Sequence, residues 1–378
     1  MKELIRPFVY LLIDIFHFFF HRNERVVVCA GWVGKRFADN SRYVFLYLNE
    51  HKQHYDLHNI VWITEDVTIM QELKVAGFSV CMKYSVKSIY YHLISSYFLY
   101  DQFSNDYITF LTRNAKLVNL WHGMPIKKFG LMVGKEWDLK DEYLLTCSDL
   151  GDKMIGEAFI VDPKHFIHGM YPRNHYLIHD AGFVRDTEIT YLNNLAEYKE
   201  RGYRILFYLP TFRNTNLLFL GEENPDKIKS FFEFLARNNY CLLTKLHFAG
   251  FISNKDMIEY SSDNFLNLPA EMDIYPFLKQ ADILITDYSS VLFDFLYLDK
   301  DIICYAYDLH EYEENDQGLI LDYESLPADK VFSLEELQTN LFLKLTQRDG
   351  HFDARRMWLE KCFEGYTMDD TIKNILAR

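Results

Sequence analysis

From Arg25 onward, short apolar runs and longer stretches of mixed character take turns along the chain. RVVVCAG (25–31), NIVWIT (59–64) and FSVCMK (78–83) are near-continuous apolar segments, the pattern of strands covered on both faces in a parallel sheet. Between them, SRYVFLYLNEH and VTIMQELKVAG read as helices. The alternation runs on through SVKSIYYHLISSYFLYD, AKLVNL and EYLLTCS to a helix at about 149–159. HGMYPRNHYLIHD (168–180) then breaks the rhythm with a polar, proline-containing stretch, followed by the charged helix TEITYLNNLAEYKERG. The β/α grammar restarts with YRILFYLPTFR and continues through KIKSFFEFLARNN, YCLLTKLH, NFLNLPAE, IYPFLKQ, ADILITDYSS, VLFDFLYLD and DIICYAYD. Two such halves in tandem predict an α/β protein of two doubly wound, Rossmann-like domains with a cleft between them. The expected division is an N-terminal helix over 1–24, a first domain over 25–180, a second over 181–348, and helices over 349–378 that fold back across the hinge.

The segment before Arg25 needs separate treatment. MKELIRPFVYLLIDIFHFFFHR is apolar but interrupted by Glu3, Arg6, Pro7 and Asp14, which is too broken for a membrane-spanning helix, and no small-residue cleavage site follows Phe20. Two readings stay open: a helix packed on the first domain, or one lying in a membrane interface with Lys2, Arg6, Arg22 and Arg25 near lipid headgroups. Composition narrows the partners. A formal net charge of −14, from 54 acidic against 40 basic residues, argues against a general nucleic-acid binder, which needs a basic field. The six cysteines are dispersed with no C-x-x-C pair, which reads as reduced thiols packed as small hydrophobes in a cytoplasmic protein.

In open parallel sheets ligands bind beyond the carboxyl ends of the strands, so residues just past each apolar run carry the candidate chemistry. In NLWHGMPIKKFG, His122 follows a strand, Gly123 permits close backbone approach and Pro125 stiffens the exit. An imidazole there suits a general base, and it equally suits a hydrogen bond that closes the turn. Lys127 and Lys128 follow it, either as an acceptor-side anion guide or as a solvated loop. In ILITDYSSVLFDF, Asp287 ends a strand, and Ser289 and Ser290 open a helix whose free N–H groups favour an anion. Thr211 and Arg213 follow YRILFYL, Lys245 and His247 follow YCLLT, and Arg173 and Asn174 sit at the hinge. All are candidates for phosphate contacts, Arg213 by a bidentate guanidinium. The Asp299–Asp301 pair lies in a helix-to-strand turn and reads as solvated, and His165, His168, His175 and His179 lack the H-E-x-x-H arrangement, so no metal site is expected. There is no G-x-G-x-x-G, no P-loop and no G-x-S-x-G, which disfavours dinucleotide oxidoreductases, P-loop NTPases and the common hydrolase elbow.

Taken in order, WHGMPIKKFG, GMYPRNHYL, ILFYLPTFR, LLTKLHF and ADILITDYSSVLFDFLYLDKDIICYAYDLHEY resemble the CDP-glycerol glycerophosphotransferase family, which makes teichoic acids and related capsule polymers. The resemblance implies a GT-B architecture with an acceptor-receiving first half and a CDP-alditol-binding second half. It implies a role for His122 at the reacting centre, pyrophosphate contacts for Arg213, His247, Ser289 and Ser290, and a supporting role for Asp287. The donor implied is CDP-glycerol or CDP-ribitol, with no further cofactor and no metal. The acceptor implied is a lipid-linked or polymeric hydroxyl, met at the cytoplasmic face of the membrane. The sequence departs from the family pattern at Met124, where threonine is usual, and at Lys245 and Phe248, where arginine and proline are usual. Two other readings compete: a GT-B glycosyltransferase using a nucleotide sugar, and a catalytically silent binding protein on the same fold.

Overall fold

The computed structural model describes residues 2–19, 21–102, 106–211, 219–222, 224–246, 263–347 and 350–377, with residues 2–9 described as backbone alone. The helix α1 (Lys2–Phe19) precedes a first parallel sheet of β1 (Asn23–Cys29), β2 (Asn59–Thr64), β3 (Ser79–Met82), β4 (Ser95–Tyr100), β5 (Lys116–Asn119), β6 (Tyr143–Thr146) and β7 (Phe166–His168). Its strand order is β3-β2-β1-β4-β5-β6-β7. The intervening helices are α2 (Asp39–His51), α3 (Val67–Val75), α4 (Val86–Ile94) and α5 (Asp149–Ala158). The connector is α6 (Pro172–Ile178) followed by α7 (Asp186–Glu200). The second parallel sheet comprises β8 (Arg204–Leu209), β9 (Tyr240–Thr244), β10 (Phe265–Asn267), β11 (Ile283–Thr286), β12 (Asp301–Tyr305) and β13 (Asp329–Val331), in the order β10-β9-β8-β11-β12-β13. Its helices are α8 (Pro225–Arg237), α9 (Tyr275–Leu278), α10 (Val291–Phe295), α11 (Leu309–Asn315) and α12 (Leu334–Leu343). Two further helices, α13 (Phe352–Phe363) and α14 (Met368–Leu376), complete the described chain.

The elements start where the sequence supplies caps. Asp66 accepts from the amides of Thr68 and Ile69 at α3, Ser85 and Ser148 cap α4 and α5, and Thr367 with Asp370 forms a capping box at α14, each satisfying amides that a helix start leaves orphaned. The central strands bury both faces, as Val26–Cys29 and Ile283–Thr286 illustrate. That is why they read as unbroken apolar runs. All six cysteines are buried and unpaired.

Ties between the halves fix the cleft. Arg42 of α2 is fully buried and forks onto Glu188 of α7, with Nη2 donating to Oε2 at 2.8 Å. Asp273 of the second half lies 3.5 Å from its Nη1. After α13 packs near α10, the chain returns to the first domain, where α14 lies along β7. Asn374 Nδ2 donates to the His168 carbonyl, and Lys116 Nζ donates to the carbonyls of Ile375 and Ala377.

The helix α1 packs on the first domain by one face and leaves an apolar face exposed. His17 Nε2 bonds the Leu93 carbonyl, Asp14 pairs with Arg113, and Ile13 is buried, so one face packs on the first domain. Leu11, Leu12, Ile15, Phe18 and Phe19 point away from it and are exposed. Among the described residues no helix is long and apolar enough to cross a membrane.

Candidate active site

The loop after β5 carries the histidine and is held from several directions. Asn119 Oδ1 accepts from the Trp121 amide, and Trp121 adopts a positive φ of 54°. The Asn40 side-chain amide donates to the carbonyls of Leu120 and Trp121 at 3.2 and 2.8 Å. The His122 ring lies against the Trp121 indole with centroids 4.0 Å apart, and its Nδ1 is 3.5 Å from the Asp101 carbonyl oxygen. Burial pushes this imidazole down to about 4, with nearby Asp39 opposing the shift and Arg173 adding to it. His122 is therefore neutral across the physiological range.

The second domain meets this loop directly. Gly123 has φ +119°, and a Cβ there would fall 3.2 Å from Ser290 Oγ and 2.3 Å from Arg173 Nη2. Only glycine tolerates both that backbone and that contact. His122, Gly123, Lys127 and Lys128 share one cleft of about 340 Å³ with Ser289 and Ser290, lined also by Trp121, Phe129 and Trp137. The Ser289 hydroxyl accepts a long bond (3.4 Å) from the Val291 amide, while Ser290 makes no side-chain cap. Along one wall the two halves join by main chain: the Lys128 amide donates to Gly318, the Ile320 amide donates to Ile126, and Lys127 pairs antiparallel with Leu319.

The remaining candidates lie deeper. Asp287 is buried and its Oδ1 accepts from the amides of Thr211 (2.8 Å) and Tyr288 (2.6 Å), so it braces the loops after β8 and β11 against each other. Thr211 is buried at that brace. Lys245 is largely enclosed, with Nζ donating to the Met272 carbonyl, and burial lowers it to about 8 against the pull of Asp273. Arg173 and Asn174 differ from the phosphate contacts expected of a reachable hinge. Both are buried in α6, and Arg173 is engaged by Asp39 and Asp294. Arg213 and His247 lie outside the described residues. Asp39 and Asn40 carry no local sequence signal beyond their place at the start of α2, the helix that follows β1. Sequence reasoning passed over both, and also over Trp137 and Gln317, whose place in the cleft comes from tertiary packing that no local pattern signals. Met124 is buried, with its sulfur beside Gly151, so this departure from the family pattern packs into the core. Among the described residues no group of three or more potential ligands is placed to hold a metal ion.

Two doubly wound parallel sheets facing across a cleft, with a strand-end histidine opposite a serine pair, give the GT-B arrangement. The chain belongs to the CDP-glycerol:poly(glycerophosphate) glycerophosphotransferase family, whose profile matches residues 12–367. A teichoic acid poly(glycerol phosphate) polymerase of Bacillus spizizenii is 26% identical over 364 residues, covering 89% of each chain. A teichoic acid glycerol-phosphate transferase of Staphylococcus aureus is 26% identical over 374 residues, covering 90% of this chain and 89% of the relative. The structure of the wall teichoic acid polymerase TagF superposes with a TM-score of 0.72 at 17% identity, over 98% of this chain and 92% of the other.

Proposed function

We propose that this chain transfers glycerol phosphate from CDP-glycerol to a hydroxyl of a lipid-linked or polymeric acceptor in teichoic acid synthesis, with His122 as the base. The observation that carries the assignment of roles is the shared cleft: His122 and Gly123 of one domain face Ser289 and Ser290 of the other across about 340 Å³. In the transfer the acceptor oxygen attacks the β-phosphorus of the donor, the bond from that phosphorus to the oxygen bridging to the α-phosphorus breaks, and CMP departs with that oxygen. The proton of the attacking hydroxyl passes to His122. Its Nδ1 faces the Asp101 carbonyl, which leaves Nε2 for the acceptor.

A neutral imidazole is free to accept, and an incoming pyrophosphate beside it raises its basicity, so donor binding completes the base. Ser289 and Ser290 are proposed to bond the donor phosphates, together with Arg213 and His247, while Lys127 and Lys128 draw in an anionic acceptor. In this reading the transfer needs no cofactor beyond the CDP-linked donor and no metal, and turnover is expected to survive a chelator. The exposed apolar side of α1 supports peripheral binding at the cytoplasmic membrane face, where a lipid-linked acceptor is presented.

Product analysis tests the reaction. Incubated separately with CDP-glycerol and CDP-ribitol, the protein is expected to release CMP with at least the first. Release of a nucleoside diphosphate from a nucleotide sugar, with no CMP from either donor, would replace this reading with sugar transfer.

A further inference from the structure

The clearest buried polar arrangement outside the cleft surface is the set of groups around Arg173. Its guanidinium is fully enclosed, with Nη1 donating to Asp39 Oδ1 and Nη2 to Asp294 Oδ2, both at 2.7 Å. It lies over the Tyr275 ring at 4.9 Å, and the Tyr275 hydroxyl donates to the same Asp294 oxygen at 2.7 Å. The Arg173 amide donates to Asn40 Oδ1, and Asn40 in turn holds the carbonyls of Leu120 and Trp121. Asp294 belongs to α10, the helix that Ser290 opens. Arg173 is thus tied to the histidine loop through its main-chain amide and Asn40, whose own main-chain amide donates to the Asp39 carboxylate that the guanidinium holds, and its side chain reaches the helix of the serine turn through Asp294. Its Nη2 is also the atom that a Cβ on Gly123 would strike.

We propose that Arg173, clamped between Asp39 and Asp294, is the positioning residue that sets the separation of the His122 loop from the Ser289–Ser290 turn, and so the in-line geometry of phosphoryl transfer. The inference rests on the reading of that cleft as the reacting centre. The fork geometry is what the task requires. A planar guanidinium reaches two carboxylates at fixed angles, whereas a lysine ammonium meets one at a time. Breaking a buried pair leaves an uncompensated charge, so a stability change alone does not identify a positioning role. The discriminating readout is the split between turnover and donor binding, taken well below the melting temperature.

Arg173→Lys is expected to lower kcat at saturating CDP-glycerol by about 100-fold, the scale of an ångström-sized misplacement, while calorimetric CDP affinity stays within about threefold of the parent. Asp294→Asn, which keeps volume, is expected to show the same split at about tenfold or more in kcat, and it decides the matter if Arg173→Lys does not fold. Two results would overturn the proposal: kcat per folded molecule unchanged in Asp294→Asn and in any folded Arg173→Lys, or a CDP affinity lost by about tenfold or more in Arg173→Lys, which would make the arginine a direct phosphate ligand. His122→Ala, measured alongside, separates the two layers. Retained turnover there removes the reading of the cleft and this inference with it, whereas a dead His122→Ala beside unchanged clamp variants removes this inference alone.

Discussion

At the scale of single residues, the histidine is defined by what surrounds it. Lying against the Trp121 indole with its Nδ1 toward the Asp101 carbonyl, His122 is pushed down to about 4 by burial. Protonation removes the lone pair that takes the acceptor proton, so activity falls as pH drops through that value. The acidic limb of kcat/KM, which reports the free enzyme, is expected near pH 4 rather than near the 6.5 of an unperturbed imidazole. The limb of kcat lies at higher pH, because bound pyrophosphate stabilises the imidazolium. His122→Ala is expected to lower kcat by roughly 100-fold to 10,000-fold with CDP binding retained and the acidic limb abolished. A kcat/KM limb that stays at 6.5 in the parent would contradict this lowering of the imidazole by burial.

At the scale of elements, α1 carries a prediction of its own. Phe18 and Phe19 are 77% and 69% exposed, while the opposite face of the helix is anchored through His17, Asp14 and Ile13. Replacing both phenylalanines with serine is expected to abolish co-sedimentation with phosphatidylglycerol vesicles and to leave the melting temperature unchanged. Partitioning that survives the change would leave α1 a packing helix only. The elements also show where sequence reading succeeds and where it stops. Buried strands such as β1 and β11 are legible because burial on both faces writes an unbroken apolar run. The edge strands β7 and β13 have three residues each, too few for any period, and are specified by their neighbours. His122 and Ser290 were legible as strand-end residues. Arg173 was visible too, yet its partners Asp39 and Asp294 lie 134 and 121 residues away. Only tertiary structure distinguishes an arginine enclosed by two carboxylates from one offered to a phosphate.

At the scale of the whole molecule, the first domain is completed by a helix encoded after the second. α14 covers β7 through Asn374, while Thr371 Oγ1 donates to the Met170 carbonyl and Tyr97 OH to the Leu376 carbonyl. Ile372 and Ile375 are buried in the same contact. Ending the chain before Thr367 is expected to lower the melting temperature and raise binding of a hydrophobic dye. A peptide of residues 366–378 added in trans is expected to reverse both effects, and failure to do so would show that α14 is dispensable to the first domain. The bond between His168 and Asn374 spans 206 residues of sequence. During synthesis β7 therefore leaves the ribosome with one edge uncovered and stays so while the second domain is being made. Translation speed through that interval thus sets how long a bare sheet edge is available to other nascent chains.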